Sequence, residues 1–250
     1  DGTVVYYSWN ADKSFWQLED SHNKHFLMAM SVDVAPLPEN VIDPAIRVVS
    51  ASQDLTVVLW NVSANTFNTL ENGHLAGLNA AKFHHNPLQP LLLTAADDGS
   101  VALWNYKSMQ LIQHIDTAAE SCVSAVLFSK SLPLFFVASE DNSLRVYKLS
   151  NYRQVSVFKT ASEKVTGRKN MGRAWCIDEF EDGILAVGYD KGMHAYNIGS
   201  GEPLFSFDSR NKLTYITDQK IFQLSIQKDR LSIQTTHPKP LSTLDYDDVS

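Results

Sequence analysis

Acidic residues recur at one place in a repeated segment, where a carboxylate can bind a cation or cap a backbone turn. Two adjacent aspartates, Asp97 and Asp98, lie in AADDGSVALWNY (95–106). The second of them has counterparts in three similar segments. Short acidic side chains at tight turns accept hydrogen bonds from nearby amides. We therefore predict a structural role at the turn for four aspartates, Asp54, Asp98, Asp141 and Asp190.

The first aspartate of the pair, Asp97, is not explained by the turn. Its counterparts in the other segments are Gln53, Glu140 and Tyr189, which have no charge in common. A position that tolerates such variety is not needed to form the turn. The carboxylate of Asp97 therefore calls for a separate explanation.

The motifs of common catalytic sites are absent from the sequence. It contains no Gly-x-Ser-x-Gly, no glycine-rich phosphate loop and no His-Glu-x-x-His. Cys122 and Cys176 lie in apolar strand patterns, where we expect them to pack in a core, and the acidic segment DEFEDG (178–183) reads as an exposed turn. We predict that the chain is not an enzyme and uses no cofactor or metal.

The elements that position these residues are predicted to be β-strands throughout. Apolar and polar residues alternate in TVVLW, SVALW and SLRVY, and Asp, Asn, Gly and Pro separate such runs. The turn aspartates are 44, 43 and 49 residues apart. Short strands repeating at about 40–45 residues are typical of WD-repeat propeller blades. The fold predicted is therefore an all-β, incomplete WD-repeat β-propeller.

The Gly-His pair that accompanies such repeats is intact once, at Gly73-His74. Ser21-His22 is its predicted remnant in the preceding repeat, and it is lost before Tyr147. In repeats of this kind the turn aspartate holds the histidine. A buried carboxylate requires such a partner.

The repeat spacing also predicts the domain boundaries. Residues 1–10 match the last strands of a blade, so we expect a fragment of a longer protein. We assign 205–236 to further strands that close the propeller or begin a second one, and 237–250 to a linker or exposed tail. The partial propeller covers 1–204, with complete blades near 22–68, 70–112, 115–155 and 172–204.

Composition indicates a globular protein with an ordinary core. Hydrophobic residues make up 44% of the chain and charged residues 20%, and the net charge is −7. The acidic balance argues against a nucleic-acid partner. Two cysteines in 250 residues favour a reducing, cytoplasmic compartment. We expect no membrane span and no signal peptide.

Two longer segments carry a family resemblance. GRAWCIDEFEDGILAVGYDKGMHAYNIGSGEPLFSFDSRNKL (172–213) and FNTLENGHLAGLNAAKF (67–83) resemble the coatomer beta-prime subunits, a WD-repeat family. The sister alpha subunits are similar as well and are the second choice. The resemblance runs in order along nearly the whole chain.

The resemblance implies a vesicle-coat subunit in retrograde transport from Golgi to endoplasmic reticulum. Its partners would be dilysine cargo tails and other coatomer subunits of the alpha and epsilon type, and it would associate peripherally with the Golgi membrane. By the same resemblance, Asp97 pairs with a cargo lysine and Arg173 lies on the ligand face, with His25 and Phe26 at rim positions. Further cargo-binding residues are expected in upstream blades.

Other interpretations stay open at this stage. The chain could be a generic WD-repeat platform for protein–protein interaction in another complex, or, against the motif analysis, a propeller enzyme. The basic segment ASEKVTGRKNMGR (161–173), with Lys164, Arg168 and Lys169, is either a solvated loop or an anion contact on the rim.

Overall fold

The fold comes from a computed structural model. It describes residues 1–37, 47–119, 121–159, 171–180 and 184–197, together with the backbone of the later strands up to residue 245. Lys164, Arg168 and Lys169 of the basic segment lie outside the described residues, as do Glu181 and Asp182 of the acidic segment.

Every regular element in the described residues is a β-strand. The strands divide between two compact units, Asp1–Phe128 with Leu149–Arg153, and Ser129–Lys148 with Gln154–Ser250. No described helix is long and apolar enough to cross a membrane.

The first unit contains a hairpin and two four-stranded antiparallel sheets. The hairpin pairs β1 (Val4–Asn10) with β2 (Phe15–His22). The next sheet consists of β3 (Ala29–Val34), β4 (Arg47–Ser52), β5 (Val57–Asn61) and β6 (Thr66–Leu70), paired in chain order. The following sheet consists of β7 (Leu78–Phe83), β8 (Leu91–Ala96), β9 (Ser100–Asn105) and β10 (Gln110–Asp116), again paired in chain order.

The strands that follow continue this pattern. The next four-stranded sheet is formed by β11 (Val123–Phe128), β12 (Leu134–Ser139), β13 (Ser143–Lys148) and β14 (Gln154–Lys159). The last sheet has eight strands in chain order: β15 (Ala174–Phe180), β16 (Ile184–Tyr189), β17 (Gly192–Asn197), β18 (Pro203–Asp208), β19 (Lys212–Thr217), β20 (Lys220–Gln227), β21 (Arg230–Thr235) and β22 (Leu244–Asp245).

The predicted fold class, an incomplete WD-repeat β-propeller built wholly of strands, is confirmed. The division into domains stays a prediction. Within it, β22 falls in the segment expected to be a tail.

The core of the first unit lies between the β3–β6 and β7–β10 sheets. Central strands are buried on both faces: Val57, Val58, Leu59 and Trp60 of β5 are at most 5% exposed. Outer strands such as β10 keep most side chains exposed. Central strands therefore read as continuous apolar runs, whereas only strands with one solvent-facing side alternate.

Two sequence expectations about buried and exposed residues are corrected by the structure. Cys176 of β15 is exposed and Cys122 is half-buried, so neither packs in the core as its apolar neighbours suggested. Glu179, expected in an exposed turn, lies in β15 and is 2% exposed. Its carboxylate accepts hydrogen bonds from the hydroxyls of Ser129 and Ser131, which satisfies the buried charge.

Candidate functional site

The turns between the second and third strands of the first sheets are held by aspartate. In the β4–β5 turn, Asp54 accepts the amide N–H groups of Phe26 at 2.8 Å and Thr56 at 3.0 Å. Asp98 in the β8–β9 turn accepts those of Leu75 at 2.7 Å and Ser100 at 2.9 Å. Burial raises the pKa of both carboxyls, but the hydroxyls of Thr56 and Ser100, together with these amides, outweigh it, so the net pKa of each lies below its usual value.

A buried histidine supports each of these two turns. His74 Nδ1 lies 3.8 Å from Asp98, and its Nε2 lies 2.7 Å from the hydroxyl of Thr94. The matching residue in the preceding sheet is His25, 3.2 Å from Asp54, rather than His22. The reason is the spacing to the next strand: β7 begins four residues after His74, and β3 begins four residues after His25 but seven after His22. His22 is buried elsewhere, and neither of its ring nitrogens has a hydrogen-bond partner among the described residues.

His25 therefore differs from the surface residue that the family resemblance implied. It is 4% exposed, and Nε2 lies 2.7 Å from Ser50 Oγ. Its imidazole offers no accessible face to a ligand. It holds the turn next to Phe26, whose own side chain is 94% exposed.

The third turn uses an arginine where the first two use a histidine. Arg145 Nη2 lies 2.7 Å from Asp141 Oδ2, and both side chains are 5% exposed. Burial raises the pKa of Asp141, but the Arg145 guanidinium and the Ser143 hydroxyl lower it to about 2. Sequence reasoning missed Arg145. An arginine at an inward position of the strand SLRVY was the available signal.

The structure places Asp190 differently from the other three turn aspartates. Its amide donates to the carbonyl of Arg173, as the amides of Gln53 and Asp97 donate to Met28 and Gly77. Its carboxylate accepts the amide N–H of Arg173 at 3.0 Å, as those of Asp54 and Asp98 accept the amides of Phe26 and Leu75. Asp190 therefore combines the backbone bond of the Asp97 position with the capping carboxylate of the Asp98 position. The reason is a shorter hairpin: Tyr189 pairs with Gly192 across two residues, so the turn has no room for a further capping position.

Asp97 is exposed, and its carboxylate is oriented by a neighbouring amide. Asn79 Nδ2 donates to Asp97 Oδ1 at 2.7 Å and to the carbonyl of Val123 at 3.0 Å. The oxygen of the same amide accepts from Gln53 Nε2 at 3.1 Å. Gly77 allows this approach, because a Cβ there would lie 2.1 Å from Gln53 Oε1. The second carboxylate oxygen of Asp97 accepts no hydrogen bond from the described residues.

Exposed apolar side chains adjoin the two turns, since the amides of Phe26 and Leu75 donate to Asp54 and Asp98. Phe26 is 94% and Leu75 is 89% exposed, and each directly follows a turn-supporting histidine. We call these two residues, with Gln53, Asn79 and Asp97, the turn surface. The sequence analysis did not identify Leu75 or Asn79. The position directly after the histidine of the repeat was the signal that could have identified Leu75.

Arg173 belongs to a separate cluster in the second unit. Its side chain is 52% exposed, with Nη1 3.7 Å from Glu140 Oε2 and Nε 3.5 Å from Asp190 Oδ2. The guanidinium lies 4.6 Å from the ring centroid of Trp175, a cation–π distance. Trp175 Nε1 donates to Asp190 at 2.6 Å; this bond and the Arg173 amide lower the pKa of the Asp190 carboxyl.

Neither the turn surface nor the Arg173 cluster resembles a metal centre. Among the described residues, no three His, Cys, Asp or Glu side chains converge to hold an ion. What the turn surface offers is one oriented carboxylate, together with two exposed apolar side chains at the turns. Such a surface suits a basic group attached to an extended peptide.

Comparison with known families gives the class of protein. Residues 65–105 and 109–148 match the family model "WD domain, G-beta repeat". Together with the repeated four-stranded antiparallel sheets, this defines a WD-repeat β-propeller protein.

Comparison with individual proteins confirms the resemblance to the coatomer beta-prime subunits. The chain is 23% identical over 213 residues to "Probable coatomer subunit beta'" of Schizosaccharomyces pombe, which covers 85% of this chain and 25% of that protein. It is 26% identical to "Coatomer subunit beta'" of Rattus norvegicus, over 88% of this chain and 22% of the relative. The corresponding protein of Caenorhabditis elegans is 28% identical over 95% of this chain and 22% of its own length. The chain thus spans about a quarter of the length of these curated relatives.

Proposed function

We propose that this chain is the propeller region of a vesicle-coat subunit and that its turn surface binds the basic tails of cargo proteins. The names of the relatives support the coat role. The cargo would be dilysine tails sorted from Golgi to endoplasmic reticulum. The chain would act as a scaffold and binding module rather than as a catalyst, on the cytoplasmic side of the Golgi membrane, beside coatomer subunits of the alpha and epsilon type.

The carboxylate of Asp97 is the observation that carries this proposal. One oxygen is fixed by Asn79 at 2.7 Å, and the side chain is exposed. A carboxylate held in one orientation loses little freedom when an ammonium group binds. The lysine Nζ of a cargo tail is the matching donor.

One charge pair does not give a useful affinity. An exposed Asp–Lys pair contributes about 0.2–1 kcal/mol, whereas micromolar binding requires about −8 kcal/mol. Phe26 and Leu75 supply apolar area beside the turns. Arg173 is half exposed, and we include it as a cargo contact. His25 contributes only indirectly, because it supports the turn next to which Phe26 is exposed.

The test is the binding of a dilysine-tail peptide to the full-length protein, measured by calorimetry. Asp97→Asn keeps the shape and the hydrogen bond to Asn79 but removes the charge, so we expect affinity to fall about threefold to fivefold. Asp12→Asn, an exposed aspartate in the β1–β2 turn, changes the net charge equally and serves as the control.

An Asp97→Asn protein that binds the peptide as tightly as the Asp12→Asn control refutes the cargo assignment. The chain would then be a WD-repeat interaction platform without a dilysine site. A peptide with both lysines replaced by alanine must lose binding to the wild-type protein in the same assay.

A further inference from the structure

A second candidate site lies between two sheets of the first unit. A cavity of about 360 Å³ is lined by Arg47, Leu59 and Trp60 of the β3–β6 sheet and by Tyr106, Lys107 and Met109 after β9. Its volume falls in the range of about 300–1,000 Å³ found for ligand-binding pockets.

This cavity is distinct from the turn surface. Arg47 begins β4, and Gln53 of the turn surface follows the end of the same strand. A six-residue strand spans roughly 20 Å. Tyr106 and Lys107 likewise follow the end of β9, whose start adjoins the turn that contains Asp97. The two sites therefore lie at opposite ends of the strands, and neither depends on the other.

The charged groups of the cavity are donors, and Asn61, Thr66 and Asn68 add neutral polar groups that can donate or accept. Arg47 and Lys107 both line it, and neither forms an ion pair within the described part of the chain. None of the described lining residues is an Asp or Glu. The hydroxyl of Tyr106 also has no hydrogen-bond partner among the described residues, and burial raises its pKa, so that it remains a donor at neutral pH. In a chain of net charge −7, two unpaired cations at one cavity favour an anion.

The apolar part of the cavity wall selects among anions. Leu59 and Trp60 are at most 5% exposed, and Met109 is 38% exposed at the rim. A carboxylate flanked by apolar side chains satisfies both the cations and this wall. An anionic bilayer fits less well, because the net charge of the chain opposes approach to a broad negative surface. We infer that this cavity binds an acidic peptide segment of a partner protein that carries Asp or Glu beside an aromatic or aliphatic residue.

The experiment uses fluorescence anisotropy of the full-length protein with a fluorescein-labelled peptide, Asp-Glu-Tyr-Asp-Glu-Leu. We expect saturable binding that weakens at least tenfold in the double variant Arg47→Gln/Lys107→Gln. The control double variant Lys148→Gln/Lys159→Gln removes two exposed cations elsewhere and should change binding less than twofold. An unchanged thermal unfolding curve shows that each variant is folded. If the double variant Arg47→Gln/Lys107→Gln does not fold, the single variant Lys107→Glu replaces it in the titration.

Three results of the peptide titrations would overturn this inference. One is the absence of saturable binding to the wild-type protein. Another is equal binding of the amide peptide Asn-Gln-Tyr-Asn-Gln-Leu, which carries no acid. The third is equal loss in the two double variants. Phosphatidylserine vesicles that compete with the peptide, with the competition lost in Arg47→Gln/Lys107→Gln, would instead assign the cavity to a membrane surface.

Discussion

Replacing Asn79 by serine should weaken cargo binding without contact between Asn79 and the cargo. The Asn79 amide donates to Asp97 and to the carbonyl of Val123, and it accepts from Gln53. Serine is too short to keep these bonds. The Asp97 carboxylate would then rotate, and part of its orientation for an ammonium group would be lost.

The size of the effect follows from the bonds removed. Each hydrogen bond contributes about 0.5–1.5 kcal/mol net, and Asn79 is half-buried, so the free energy of unfolding should fall by about 1–2 kcal/mol. Binding loses only the orientation of one carboxylate. We expect the Kd for a dilysine peptide to rise about threefold, since tenfold corresponds to about 1.4 kcal/mol.

A double-mutant cycle separates positioning from general damage. Calorimetric Kd values are measured for wild type, Asn79→Ser, Asp97→Asn and the double variant. If Asn79 acts through Asp97, serine should cost almost no further affinity once the charge at residue 97 is gone. Additive losses in the double variant would refute this reasoning, because they would mean that Asn79 contributes to binding by another route.

Two further predictions concern stability. Leu55 has φ = 70°, where the equivalent turn residue Asn142 has φ = 67°. Because asparagine tolerates this left-handed conformation better than leucine does, Leu55→Asn should raise the free energy of unfolding by about 0.5–1 kcal/mol; a lower melting temperature in calorimetry would contradict this. Burial and the nearby His114 lower the pKa of His74 from 6.5 to about 4, despite the opposing charge of Asp98. The unfolded chain therefore binds more protons below pH 6.5, and the free energy of unfolding should fall by roughly 2 kcal/mol between pH 7.5 and 5 in urea titrations. A His74→Asn variant that keeps the full pH slope would exclude His74 as its source.

The repeats and the strand content could be predicted from sequence because both are local. Each blade segment carries its own alternation, its turn residues and its spacing, so AADDGSVALW indicates two strands and a turn without reference to the rest of the chain. The resemblance of 172–213 to the coatomer beta-prime subunits rests on the same kind of local pattern.

The partners of the turn residues could not be predicted, because they depend on loop length and on contacts between sheets. A three-residue shift makes His25, not His22, the partner of Asp54. A shorter hairpin makes Asp190 combine the backbone bond of the Asp97 position with the capping carboxylate of the Asp98 position. Arg145 of β13 replaces a histidine that comes from the loop before the first strand of the sheet, and Asn79 reaches Asp97 from β7. In each case the residue is visible in the sequence, but its distance from its partner depends on the folded structure.

One position of the repeat thus serves for contact between sheets in two repeats and, in the proposed function, for cargo binding in another. Gln53 reaches the next sheet through Asn79, and Glu140 lies 3.7 Å from Arg173, which directly precedes β15. In these two repeats the side chain at this position is already bonded to a residue of the following repeat. Asp97 is shorter than glutamine or glutamate. Asn79, rather than Asp97, forms the hydrogen bond to the carbonyl of Val123. The short side chain therefore leaves one carboxylate oxygen available for a ligand. Asp97→Glu should on this reasoning retain the charge but turn it toward the neighbouring strand, and it should bind the dilysine peptide more weakly than wild type.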